Sequence, residues 1–222
     1  MLETYPSTAA MAEAAARAVE SRLAEGLKTR GRASLVATGG RSPGPVYDAL
    51  DGPGVDWARV VVTVSDERCV DPASPDSNAR QVRERLLVGA RAKAHFIPLW
   101  PEPPEAALQA LAPFDAVMLG MGEDGHIASL IPGDPGLAQG MDLASDRLLV
   151  PVPAGIGKPP VARISLTLTA LLQARALFLL IAGEAKREVV ARAQAGADLP
   201  VRAILGQDRV PVRIFWAPSH EG

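Results

Sequence analysis

The 222-residue chain predicts an α/β protein of three layers, with helices on both sides of a mostly parallel central sheet. Three observations carry that prediction. Segments with helical hydrophobic period alternate with strand candidates from one end to the other. The strand candidates are short continuous apolar runs, as strands buried on both faces require. With 48% hydrophobic and 22% charged residues, the length supports a large core, and the absence of repeats or low-complexity boundaries predicts one domain over residues 1–222.

Taken in order, Ser7 and Thr8 are both suitable caps for a helix running to about Leu27, with Met11, Ala15, Ala18, Val19 and Leu23 as its apolar stripe. Leu35–Ala37 is a strand, GGRSPG a turn, and the neighbourhood of Val46 to Leu50 a short helix. VVVTV at 60–64 is the next strand, 78–87 is helical in pattern, 95–99 extended, 104–111 helical and AVML at 116–119 a buried strand. The glycine-rich stretch 120–146 reads as loop. Strands at 148–152 and 164–166 flank a turn at GKPP, and a helix begins near Thr169. A strand at 176–181, a helix at 184–195 and a last strand at 212–216 complete the chain.

Formal charge is −2, and the cations are mostly arginines without any long basic run, which argues against a general grip on nucleic acid. The single cysteine, Cys69, excludes an intrachain disulfide and a paired-cysteine zinc site. Glu3 and the lack of a basic segment before an apolar stretch argue against a secretory signal, and the longest apolar run, 176–182, is too short for a bilayer. The expectation is a reduced, cytoplasmic protein.

In open α/β sheets, ligands sit beyond the carboxyl ends of the strands where strand order reverses, so residues following strand candidates matter most. Thr38-Gly39-Gly40-Arg41-Ser42-Pro43 is one such place. Its glycines allow positive φ and close backbone approach, Ser42 is able to cap, and Pro43 suits the first helical position, so it is an anion cradle or simply a tight turn. Ser65-Asp66-Glu67-Arg68 places three charges at the end of a buried strand, either solvated or committed to a polar site; Asn78, shortly after, reads as a site residue or a helix cap.

Gly120 to Ser129 holds His126 two residues after Asp124 on a glycine-rich turn, the ingredients of a positioned general base. Its polar setting sets it apart from a structural histidine. His95 and His220 read as bystanders, and Cys69 as a small buried filler. Arg163 and Lys186 are the last candidates. Lys186, in the first turn of a helix, is either neutralised by Glu184 or meets a bound anion.

TGGRSP, SDER followed by SN, FDAVMLGMGEDGHIASLIPG, KPPVARISLTLTALL and LLIAGEAKREVV together resemble the 6-phosphogluconolactonases of the pentose phosphate pathway, over about 38–190. Through them the chain is similar to the glucosamine-6-phosphate deaminases and isomerases, which implies a Rossmann-like, deaminase-like fold. The deaminases bring in a glutamate after the histidine; here 128–133 is ASLIPG, without an acid, which favours the lactonase.

The resemblance implies that His126 is the catalytic base, that Asp124 shares its site and that Gly39, Gly40 and Ser42 form the phosphate loop. Arg68, Arg163 and Lys186 match basic positions of the pocket. Asp66 and Asn78 are expected among the substrate-binding residues, and Arg68 or loop amides stabilise the developing oxyanion. Arg41 departs from the family's small hydroxyl residue, as do Ile127 and Ile131 from the commoner Thr and Phe. Arg41 either adds a phosphate contact or points to solvent. The implied reaction needs no metal or cofactor. The implied partner is a small sugar-phosphate lactone, with no nucleic acid or membrane, for a monomer or small homo-oligomer. The alternatives are an isomerase or deaminase using Asp66 as base, or a sugar-phosphate sensor, for which no DNA-binding head precedes Leu35.

Overall fold

A computed structural model describes residues 2–219. Along the chain its strands are β1 (Leu2–Thr4), β2 (Ala33–Ala37), β3 (Val60–Val64), β4 (Asp66–Arg68), β5 (His95–Phe96), β6 (Ala116–Leu119), β7 (Leu149–Val152), β8 (Arg163–Leu166), β9 (Leu177–Ala182) and β10 (Val212–Ala217). The α-helices are α1 (Thr8–Arg30), α2 (Pro43–Ala49), α3 (Asn78–Gln81), α4 (Glu105–Leu111), α5 (Leu137–Met141), α6 (Leu168–Leu172), α7 (Glu184–Gln194) and α8 (Pro200–Leu205). Seven strands form a wholly parallel sheet in the order β1-β10-β9-β6-β2-β3-β5, flanked by helices.

The sheet is what continuous apolar runs predict. Every residue of β2 and β6 is buried. α1 starts where Ser7 Oγ accepts from Ala10 N–H (3.1 Å) and stops at Gly31, whose φ of +72° suits glycine and whose N–H bonds Leu27 O. Its buried stripe of Met11, Ala12, Ala15, Ala16, Val19 and Leu23 packs against the sheet, the alanines allowing close approach. Val19 and Leu23, fully buried, contribute roughly 1.5–3 kcal/mol each.

Several expectations are corrected. The strands near 148–152 and 164–166 do not join the parallel sheet. They form, with β4, a separate antiparallel sheet in the order β4-β8-β7. The short link between β7 and β8 permits only antiparallel pairing, since a parallel return needs a longer crossover. Asp66–Arg68 is therefore a strand and not a solvated strand end. β1, α5 and α8 carry little signal in the sequence: the first and last are short, and α5 lies within a glycine-rich stretch. Ser77, not Asn78, caps α3, its Oγ accepting from Arg80 N–H at 3.1 Å.

Strand order reverses at β2. From it the chain runs to β3 and β5 on one side, then returns to β6, β9 and β10 on the other. The turns after β2 and β6 thus leave side by side at one switch point, opening a crevice at the carboxyl ends of the strands.

Candidate active site

That crevice is a cleft of about 280 Å³ lined by Thr38–Pro43, Asp66, Arg68, Asn78, Gly120–Gly122, His126, Ala128, Arg163 and Lys186. Gly39, Gly40, Arg41, Ser42, Asp66, Arg68, Asn78, His126, Arg163 and Lys186 are thus brought together, with Asp124 directly behind His126. Cys69 and His95 lie outside the lining, and His220 lies outside the described residues. Burial pushes the Cys69 thiol up, with Glu67 adding to the effect, which disfavours a thiolate nucleophile, but the side chain is only part-buried and so is not the buried filler expected.

The His126 turn is built by glycine. Gly122 N–H donates to His126 O (3.0 Å), Gly125 N–H to Gly122 O (3.0 Å), and Gly125 takes φ +78°. A Cβ at Gly122 would overlap the His126 ring and the Asp124 carboxylate, so close backbone passage demands glycine there. From outside, Val201 N–H of α8 donates to Gly125 O (3.0 Å). Asp124 Oδ1 accepts from the backbone N–H of His126 at 3.2 Å and lies 2.6 Å from its ring Nδ1. The hydrogen bond from His126 holds the Asp124 carboxyl below the usual carboxylate range. An ionised Asp124 only accepts, so Nδ1 is the donor in this pair. The imidazole is 32% exposed, in reach of water without being loose in it. Ala128, two residues on, takes φ +49°, a left-handed conformation that costs a non-glycine residue energy and recurs at functional sites.

One wall of the cleft is cationic. Arg41, Arg68, Arg163 and Lys186 line the cleft against one lining carboxylate, Asp66. Arg68 and Arg163 are register partners between β4 and β8. Burial, followed by the charge of Arg68, pulls Arg163 below the usual arginine range. The Nε atoms of both are buried without a hydrogen-bond partner. Lys186 is half-buried; burial, with Arg41 beside it, lowers it from the ordinary lysine range, and Glu123 opposes the shift. Glu184 does not neutralise it: that carboxylate faces Arg187 at 3.5 Å.

Asp66 is buried, and its two oxygens lie against hydroxyls, Ser65 Oγ at 2.9 Å and Ser129 Oγ at 2.6 Å. Arg163 reaches the same Ser129 Oγ at 3.4 Å. Ser129 links the histidine turn to the cationic wall. Its sequence signal was only its place in that turn, because pairing across 63 residues leaves no local pattern. Glu67 turns away and accepts from the N–H groups of Arg68 (2.7 Å), Asn78 (2.8 Å) and Ala79 (2.6 Å), tying β4 to the start of α3.

The glycine loop differs from expectation in two respects. Ser42 does not cap α2; its backbone is already helical and its hydroxyl makes no cap bond. Pro43 and Pro45 also remove two N–H groups from a helix of seven residues, so this helix end is a poor anion site. The N–H of Gly40 is not free for a ligand either, because Gln81 takes it. Positive charge here comes from side chains more than from the helix end. Among the described residues no three or more His, Cys, Asp or Glu side chains gather as a metal site, and no helix is long and apolar enough to cross a membrane.

Known proteins are similar to this chain in sequence and fold. The family model for glucosamine-6-phosphate isomerases/6-phosphogluconolactonase matches residues 6–216. The chain is 42% identical to a 6-phosphogluconolactonase of Caulobacter vibrioides over 97% of each chain. It is 38% identical to one of Rhizobium meliloti over 98% of each. The crystal structure of a 6-phosphogluconolactonase from Shewanella baltica superposes with a TM-score of 0.90 at 33% identity, covering 98% of this chain and 97% of that one. The chain therefore belongs to the glucosamine-6-phosphate isomerase/6-phosphogluconolactonase family.

Proposed function

We propose that this protein hydrolyses 6-phospho-D-glucono-1,5-lactone to 6-phosphogluconate, acting as a single domain. The carrying observation is the oriented His126–Asp124 pair facing a cleft with an excess of cations. His126 Nε2 takes a proton from water as the oxygen attacks the lactone carbonyl, a role typically worth about 10²–10⁴-fold in rate. Asp124 holds the tautomer and stabilises the imidazolium. That imidazolium then returns its proton to the ring oxygen as the tetrahedral intermediate collapses, so the base is regenerated and no covalent intermediate forms. Lys186 and Arg41 offer charge for the phosphate beside the glycine loop. Arg68 and Arg163 extend that field toward the carbonyl oxygen that becomes anionic. Anchoring the distant phosphate aligns the lactone carbon with His126.

The isomerase or deaminase reading needs Asp66 as a free base. Both its oxygens are engaged by hydroxyls, and the segment after His126 holds no acid through Gly133, which counts against it. The reading makes the protein a cytoplasmic enzyme with a small-molecule partner. Mixing it with freshly prepared 6-phosphoglucono-1,5-lactone and following acid release tests the proposal. Catalysed release well above the spontaneous rate is expected; a rate equal to background would remove it.

A further inference from the structure

Gly39 and Gly40 give the loop after β2 freedom that a binding site must lose, and two side chains remove it. On one side of Gly39, the fully buried Tyr47 hydroxyl accepts from Thr38 N–H at 2.9 Å and donates to Thr38 O at 2.6 Å. On the other, Gln81 Oε1 accepts from Gly40 N–H at 3.1 Å while its Nε2 donates to Gly40 O at 2.6 Å. Gly40 takes φ +101°, yet a Cβ there would meet nothing within 4 Å, so the backbone conformation alone calls for glycine. Of the side chains that fit there, only a carboxamide presents a donor and an acceptor together; Glu lacks the donor and Met lacks both.

Gln81 also belongs to a face. Asn78, three residues before it, lies so close over Gly39 that a Cβ would overlap its carboxamide. Arg85, four residues after, rests on Gly44 in the same way and pairs with Asp48 of α2. The helix widens to a π-turn over Val82–Leu86 just past Gln81, a feature that recurs at functional sites. We infer that Gln81 is a positioning residue for phosphate recognition: by gripping both backbone groups of Gly40 it fixes the direction in which Arg41 leaves the loop toward Lys186. This rests on the lactonase reading, and it names the residue that ties selectivity for a phosphorylated substrate to the α3 segment.

Gln81→Met keeps the length and removes both bonds, and Gln81→Glu keeps only the acceptor. For Gln81→Met, KM for the phosphorylated lactone should rise about tenfold with kcat held, as expected from losing two partly exposed hydrogen bonds. Gln81→Glu should fall between it and the parent. Unphosphorylated glucono-1,5-lactone, with nothing for the loop to hold, should lose little. An unchanged KM, or equal losses on both lactones, would overturn the inference. Two measurements do not need turnover: hydrogen exchange at the Gly40 amide and the Kd of inorganic phosphate. Both should increase about tenfold in Gln81→Met. If the parent protein fails to hydrolyse the phosphorylated lactone, the activity reading falls while these two still decide on Gln81; unchanged values in both would reject its role.

Discussion

The two ends of the parallel sheet each gather arginines around a buried aspartate, and they treat the charge in opposite ways. At the amino end, Asp115 just before β6 accepts from Ser34 N–H at 2.9 Å and pairs with the Arg30 guanidinium and, at 3.5 Å, with Arg175. Gly26 of α1 passes so near that a Cβ would come within 3.0 Å of that carboxylate. The anion there is the protein's own. At the carboxyl end, the oxygens of Asp66 are taken by hydroxyls, and the arginines find only neutral acceptors. Arg68 donates to Asp76 O at 2.7 Å, and Arg163 to Pro159 O at 3.0 Å. Asp66 and Asp76 attract Arg163 only through space, and desolvated cations with no carboxylate bonded to them are costly, so folding alone gives little reason to bring them together. Arginine abundance therefore does not mark a site; several cations converging on one cleft without a carboxylate bonded to them do.

Substitutions at the two ends test that contrast. The largest effect is expected at the base: His126→Ala should lower kcat by about 10²–10⁴-fold with KM little changed, read from steady-state kinetics on the phosphorylated lactone. A near-normal kcat would take His126 out of the mechanism. Next, Asp115→Ala should destabilise the protein by about 1–3 kcal/mol in chemical denaturation, because it leaves the buried Ser34 N–H without its acceptor and takes the partner from two part-exposed arginines, while the folded fraction keeps its kcat. Arg163→Met should do the reverse, leaving stability unchanged or raised through relief from Arg68, and raising KM by about 10–100-fold from lost charged contacts. Should Arg163→Met destabilise as much as Asp115→Ala, the two ends are not different in kind.

The smallest effect is a shift in pH dependence. In the proposed function Lys186 meets phosphate as an ammonium, and its protonation is already weakened in the folded protein by burial and by Arg41. KM should thus rise on the alkaline side earlier than for an ordinary lysine, as pH climbs through the lowered value. Arg41→Gln removes the neighbouring positive charge and should move that limb to higher pH, measured as KM against pH. A limb unmoved by Arg41→Gln would mean that Arg41 does not act on Lys186.

Residue order alone predicted most of the parallel sheet, the long first helix, the two glycine turns and the pairing of His126 with Asp124. These depend on hydrophobic period, backbone freedom at glycine and partners two residues apart, all written within a short window. It did not reveal that Asp66–Arg68 leaves the main sheet to pair with β8, since an apolar strand ending in charges reads the same whether the charges meet solvent or another strand. Nor did it show that Gln81, 41 residues from Gly40, closes that loop, or that Ser129 meets Asp66. Tertiary structure also decided which arginines meet a carboxylate. Composition counts charges, whereas the free energy of each depends on the groups packed within a few ångströms, and those come from parts of the chain that only folding makes neighbours.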